Sequence, residues 1–387
     1  MSARRSRNGE CHAASKPDPR IPTLRLLFLN QFFPPDPAPT GVLLRELADE
    51  MREAGHSVDF VSARQEYRSG QRPRGRMRRE LAALGRMLLD GVRKPRADVV
   101  ISATSPPCLL VVATLVAAWH RARSLHWVMD LYPDIAVALG EIRDGFPAQM
   151  IGTLLDYCYR RTDRVLALDE DMAARLRRSG VEPTVVRPWV FASVLDQLAG
   201  VRAEPAAEWT WIYSGNLGRA HEWATLLDAE AEIESRGSAI RLVFQGGGPS
   251  WAAAQARARE LGLRQVEWRG YVDEAELPAS LLRCHALAVT QRPEARGLLW
   301  PSKLGLVMSL PRPIVWIGPT DGAIAAELRP LPHAGIFAPG QAREVADWVI
   351  ARHAAPAEVA ATIDAAAHRR EALGTLSKLV SELAARR

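Results

Sequence analysis

The feature that most constrains this chain is a unit that recurs along it: a short apolar run, a loop rich in glycine or proline, then a helical stretch with one apolar side. Residues 24–29 (LRLLFL) lead through the loop NQFFPPDPAPTG into a stretch with Val42, Leu43, Leu47 and Met51 at helical spacing, and Gly55 and His56 turn it into a second run at 57–61. A strand that returns through a helix to its neighbour runs parallel to it, so the opening reads as a βαβ unit. Runs at 99–102, 125–129 and 164–167 alternate with further helical stretches, as a doubly wound sheet requires. Periodicity lapses over 190–208, around Gly200 and Pro205, and restarts with runs at 211–213, 242–244, 287–289 and 313–317. At 387 residues the chain is too long for one ordinary core and suits two such domains. The expectation is therefore an α/β protein with a loose tail over 1–21, a Rossmann-like domain over 22–195 and a second over 205–370, the two facing each other to build one site.

Composition narrows the class. With 48% hydrophobic and 24% charged residues the chain has the make-up of a folded enzyme-like protein. The first twenty residues are basic but carry no apolar segment of the signal-peptide kind. The longest apolar run, residues 108–119 (CLLVVATLVAAW), is shorter than the roughly 20 residues of a spanning helix and reads as a buried one. Cys11, Cys108, Cys158 and Cys284 are too scattered for metal pairs or a disulfide framework, which fits a cytoplasmic setting.

The net charge of +6 sits in the first half, and residues 64–96 alone hold eleven basic and three acidic side chains. There Met77, Leu81, Leu84, Met87 and Leu88 fall at helical spacing among Arg74, Arg76, Arg78, Arg79 and Arg86. Such a basic amphipathic helix either lies in an anionic headgroup layer or packs on its own domain. Nucleic acid is disfavoured, because no aromatic residue lies between Tyr67 and Trp119 to stack on bases.

The chemistry is carried by the loops. SGNLG, with Gly215 and Asn216, and QGGGP, with Gly246 and Gly247, follow strands and would offer backbone N–H groups to phosphate oxygens. Neither fits G-x-G-x-x-G with a following acid, which argues against a nicotinamide dehydrogenase. Lys303, in WPSKL, is the only lysine between Lys94 and Lys378. A compact ammonium suits a diphosphate, with Ser302 beside it and Arg219 and His221 as further donors. In the first domain, HWVMDLYPDI brings Asp130, Tyr132 and Asp134 to a strand's end, where Asp130 is placed to orient an acceptor hydroxyl or take its proton. Thr40 and Gly41 open the first helix opposite them. No HExxH or paired histidines suggest a metal, and Asp169-Glu170-Asp171 reads as the cap of a helix beginning near Met172.

NQFFPPDPAPTG, SATSPP, WVMDLYPD, YSGNLG, FQGGGP, GLLWPSKL and PIVWIGPTDG occur in the order seen in glycosyltransferase family 4, and over residues 24–370 the chain resembles its bacterial O-antigen and colanic-acid type. The resemblance implies a GT-B fold, a nucleotide diphosphate-sugar donor (a UDP-sugar favoured), no metal or other cofactor, and transfer with retention of configuration. By the same motifs it sets Gly41, Gly215, Asn216, Ser302 and Lys303 near the donor and Asp130 near the acceptor. It further implies a glycan acceptor on a polyprenyl diphosphate at the inner face of the cytoplasmic membrane, in cell-surface polysaccharide synthesis, and a final helix within 371–387 that crosses back to the first domain. The chain departs from the family where many members place two glutamates eight residues apart: Glu294 has Ser302 at that distance. Two other readings of the same fold stay open, a sugar-nucleotide epimerase and a catalytically silent homologue that binds glycans or scaffolds an assembly.

Overall fold

The computed structural model describes residues 23–36, 38–63, 76–201, 204–355, 359 and 362–385; the tail expected over 1–21 and the arginines between 64 and 75 lie outside them. The first domain runs β1 (Arg25–Leu29), α1 (Pro39–Glu53), β2 (Ser57–Val61), α2 (Arg76–Arg93), β3 (Val99–Ala103), α3 (Leu109–His120), β4 (Arg123–Trp127), α4 (Asp134–Ala138), α5 (Phe146–Arg161), β5 (Arg164–Ala167), α6 (Glu170–Arg178) and β6 (Thr184–Val185). After α7 (Ala192–Gly200) the second continues with β7 (Trp209–Asn216), α8 (Ala224–Ser235), β8 (Ile240–Gly247), α9 (Trp251–Glu260), β9 (Val266–Arg269), α10 (Leu277–Leu282), β10 (Ala286–Thr290), α11 (Leu304–Ser309), β11 (Ile314–Ile317), α12 (Ala323–Leu328), β12 (Ala334–Phe337) and α13 (Ala342–Ala354). The chain ends in α14 (Ala365–Ala385).

Apart from the half-buried edge strand β2, the strands read from sequence are those with both faces largely covered. Every residue of β3 (VVISA) and β10 (ALAVT) is buried, and a strand sandwiched between helices reads as a continuous apolar run. The short, half-buried β6 (TV), β9 (VEWR) and β12 (AGIF) offer two to four residues each, too little for pattern reading to find them. α1 starts with proline in its first turn, where the missing N–H costs nothing.

All strand pairs are parallel, in the orders β2-β1-β3-β4-β5-β6 and β12-β11-β10-β7-β8-β9. Each order reverses once, between β1 and β3 in the first sheet and between β7 and β10 in the second. At such a point the connections leave toward opposite faces and open a crevice beyond the carboxyl ends of the strands.

The domains are tied to each other at the second of these crevices. Asp130 forms an antiparallel bridge with Leu299, and the Leu131 N–H donates to the Leu298 carbonyl at 2.9 Å. The Arg296 guanidinium meets Asp171 at 2.9 Å, and the other Asp171 oxygen accepts from the Ala323 N–H at 2.7 Å. The expected acidic cap is thus divided: Asp169 caps α6 by accepting from the Met172 N–H at 2.7 Å, whereas Asp171 reaches across to the second domain. Gly297, at φ +65°, permits that approach, since a Cβ there would lie 2.7 Å from the Asp171 carbonyl carbon.

Two expectations are corrected. The last helix begins at Ala365, well before residue 371, because Asp364 accepts from the Ala367 N–H at 2.8 Å and starts it early. It packs on α1, β3 and β4 of the first domain and on α11 of the second, and Arg369 meets Glu46 of α1 at 2.9 Å. The apolar run at 108–119 is a helix, α3, buried along most of its length but not all round: Trp119 is 69% and Leu115 51% exposed. Its sequence is apolar all round, so only one side of it can lie on the sheet.

Candidate active site

The crevice between β7 and β10 holds a cavity of about 540 Å³. Its walls are the ends of those two strands, Tyr271 and residues 299–303, and Pro39 and Asp130 close it from the first domain. Pro39 stands in the first turn of α1, which has no side-chain cap.

Lys303 lies just ahead of α11 and its ammonium donates to the Ser214 hydroxyl at 3.4 Å. No carboxylate lies within 4.0 Å of it among the described residues, and burial pulls its pKa down to about 8. Ser214 also accepts from the Gln245 amide at 3.1 Å, and Gln245 in turn accepts from the Ser280 hydroxyl at 2.5 Å. With its oxygen taking two donors, Ser214 has its own proton left to give to a ligand oxygen. Thr290 ends β10 at the cavity, and its buried hydroxyl oxygen has no hydrogen-bond partner among the described residues. A polar atom buried in this way costs free energy unless a ligand or water meets it.

His221 packs edge-on against Tyr213, and its Nδ1 lies 3.1 Å from the Thr290 carbonyl. A carbonyl only accepts, so Nδ1 carries the proton, and burial lowers the pKa of the ring. Asn216 accepts from the Tyr271 hydroxyl at 3.3 Å, which joins the tip of β7 to the cavity's rim. Opposite, the Asp130 carboxyl is pushed up to about 6 by burial and secondarily by the negative charge of Glu141. The backbone that carries it is held by Thr104, whose hydroxyl accepts from the Met129 N–H at 2.8 Å.

Of the residues singled out in the sequence, Asp130, Gly215, Asn216, His221, Ser302 and Lys303 line this cavity. The others stand around it. Gly41 is buried under its own loop, where a Cβ would sit 2.7 Å from the Phe32 carbonyl oxygen, and the neighbouring Thr40 accepts from Asn30 at 3.5 Å. Gly246 lies against the tip of β7: a Cβ would come within 2.1 Å of the Gly215 oxygen, and one on Gly247 within 2.9 Å of the Tyr271 ring. Arg219 is exposed and donates to the Leu139 carbonyl across the domains at 3.2 Å, while Glu294 pairs with Arg292 at 3.3 Å. Asp134 is the exposed first residue of α4, and Tyr132 is half-buried just ahead of it. Ser214, Thr290 and Tyr271 are among the lining residues that sequence reasoning missed. Ser214 lies inside the SGNLG motif and Thr290 ends a recognised strand, so position was available as a signal; Tyr271 sits in a loop without one. Among the described residues no three His, Cys, Asp or Glu side chains are grouped to hold a metal ion.

Two parallel six-stranded sheets, each flanked by helices and meeting over a cleft at the carboxyl ends of their strands, make this a GT-B protein. Residues 40–189, most of the first domain, match the model of the "Glycosyl transferase 4-like domain". A probable glycosyltransferase of Pseudomonas aeruginosa, WbjE, is 26% identical over 239 residues, a match that spans 58% of this chain and 58% of that protein's length. Sucrose-phosphate synthase from Thermosynechococcus elongatus superposes with a TM-score of 0.66 at 16% identity, over 94% of this chain and 100% of its own. HepE of Anabaena, solved with UDP-glucose, does so with a TM-score of 0.61 at 16% identity, over 92% and 100%. At such identities the superpositions speak for the fold.

Proposed function

We propose that this protein is a glycosyltransferase that moves a sugar from a nucleotide diphosphate-sugar, a UDP-sugar in the first instance, to a hydroxyl of a lipid-linked glycan at the inner face of the cytoplasmic membrane. The observation that carries the reading is the pairing of an uncompensated ammonium, Lys303, with the Ser214 hydroxyl at the switch point of the second domain, opposite a lone carboxylate, Asp130, from the first. A diphosphate is the ligand such a site suits: the ammonium and the amides of the β7 tip meet its oxygens, and the base and sugar extend toward Tyr271 and residues 299–303. HepE binding UDP-glucose on the same fold supports the choice of donor.

In the transfer the bond from the anomeric carbon to the diphosphate oxygen breaks and one to the acceptor oxygen forms, with retention. Asp130 stands where it can take the acceptor's proton. Lys303 and the backbone amides balance the charge left on the diphosphate, so the reading needs no metal.

Thermal-shift titration with UDP, GDP, ADP and their sugar conjugates tests the donor half. A ligand at a hundredfold excess over Kd stabilises by about 2.7 kcal/mol, enough for a shift of several degrees. A selective shift lost in Lys303→Ala supports the reading. Absence of any shift sinks it in favour of a silent, glycan-binding homologue, for which the departure at Glu294 and Ser302 speaks.

A further inference from the structure

The exposed apolar side chains of the first domain are gathered on three neighbouring helices. α3 packs against α2 on one side and against α5 on the other. On α2 Leu81 and Leu89 point outward, on α3 Leu115 and Trp119, and on α5 Phe146, Met150, Leu154 and Tyr157. Within each helix they follow at three- or four-residue steps or multiples of them, so each helix turns one stripe to solvent besides the one it buries. The exposures are large: 60% at Leu81, 69% at Trp119 and 73% at Phe146. A face of this extent is what an interaction surface looks like rather than ordinary scatter.

We infer that this face docks on an anionic lipid bilayer, lying in its headgroup layer. Charge selects that occupant. The central α3 has no Lys, Arg, Asp or Glu, while α2 and α5 together carry seven arginines against three acids (Glu80, Asp90 and Asp156). Arg78, Arg79, Arg86 and Arg93 are exposed on α2, and Arg160 and Arg161 end α5, with Arg161 over the Tyr157 ring at 5.3 Å. An uncharged centre with a basic rim matches acyl chains below phosphate groups. Where α2 and α3 end, Arg96, Arg121 and Arg123 line a cavity of about 560 Å³ together with Asp98 and Asp163. No helix among the described residues is long and apolar enough to cross a membrane. Gly152, in register with the buried Ala148, Leu155 and Tyr159 of α5, faces Pro133 at 3.7 Å from its Cβ position, so the loop that carries Asp130 packs behind α5, on the side away from the exposed stripe. A protein resting on α5 therefore holds the cleft one helix diameter, about 10 Å, above the lipid surface. This inference deepens the membrane side of the function proposed above, and its test is separate from the chemistry.

The test is sedimentation of the full chain with vesicles of phosphatidylcholine alone and of equal parts phosphatidylcholine and phosphatidylglycerol, at low and high salt, for wild type and for Leu115→Gln/Trp119→Gln/Phe146→Gln. Wild type is expected to bind the anionic vesicles, less at high salt, and the triple variant to lose affinity by about tenfold or more. The stabilisation by UDP is measured in both, and its presence in the variant shows an intact fold and donor site. Equal binding by the variant, or no binding by wild type, overturns the inference. So does a wild-type dimer that the variant converts to a monomer without any vesicle binding, which would make the face an interface between copies. Loss of the UDP effect in wild type with vesicle binding retained would sink the donor reading and leave this one standing.

Discussion

The Lys303 ammonium donates to the Ser214 hydroxyl at 3.4 Å with no carboxylate near enough to neutralise it among the described residues. Burying a cation beside neutral donors and acceptors costs free energy, and burial alone has drawn its pKa down to about 8. The positive form is present below that value and lost above it. Affinity for a nucleoside diphosphate is therefore expected to fall as pH rises from about 7 to about 9, and the dependence to vanish in Lys303→Met. Losing a charge-assisted hydrogen bond should itself weaken binding about ten- to a hundredfold at neutral pH. Calorimetric titration across pH reads both effects. A wild-type profile that matches the variant's would remove Lys303 from the diphosphate.

Asp130 carries the opposite sign. A base must be ionised, and this carboxyl is held up at about 6, so kcat/KM is expected to decline as pH falls through that value. Asp130→Asn keeps the shape but not the charge. It should leave donor affinity within about twofold and reduce transfer by about 10²–10⁴-fold, with the acid limb of the profile gone. Initial rates with a UDP-sugar and a lipid-linked acceptor decide it, and an acid limb that survives the substitution would assign the proton to another group.

The parts of this architecture that were legible in the sequence were those fixed locally. β3 and β10 announce themselves because both of their faces are covered, and the glycine loops because tight strand exits need glycine. Where the cavity lies was not legible, because it follows from strand order: β10 inserts beside β7, and only that pairing brings Thr290 next to Ser214 and Lys303. The same limit explains QGGGP. Its glycines advertise a close approach, but the partner in that approach, the Gly215 carbonyl, is set by the register that pairs Gly215 with Gly246. In α3 the failure was of contrast, since a helix apolar all round gives no sign of which side faces water.

That register makes a prediction about two glycines. Gly246→Ala would force a Cβ to within 2.1 Å of the Gly215 oxygen, at φ +132°, so the tip of β7 must move. A loss of stability of about 2 kcal/mol or more is expected, with donor binding impaired because Ser214 and Asn216 move with the tip. Gly374, exposed within α14, has nothing within 4 Å of the Cβ position. Gly374→Ala should raise stability by about 0.5–1 kcal/mol and leave binding alone. Chemical denaturation with a parallel UDP titration separates the two, and equal behaviour of the two variants would discredit the packing argument.

Glu46 on α1 holds the end of the chain in place. One of its oxygens accepts from the Trp189 indole at 2.8 Å and from Arg369 at 2.9 Å, and the other from the Ala192 N–H at 2.7 Å. These donors come from the segment after β6, from α7 and from α14, so a single carboxylate ties the linker and the last helix to the first domain. Glu46→Ala leaves three donors in a half-buried site and is expected to cost about 2–4 kcal/mol. Arg369→Ala removes only one donor and leaves the carboxylate with two others, so its cost should be about 1 kcal/mol, further reduced by salt. Hydrogen exchange locates the loss: protection should fall first in α14 and in residues 186–200, while the strands of the second domain keep theirs. If protection drops equally everywhere, the two domains unfold as one unit and Glu46 is no local clasp.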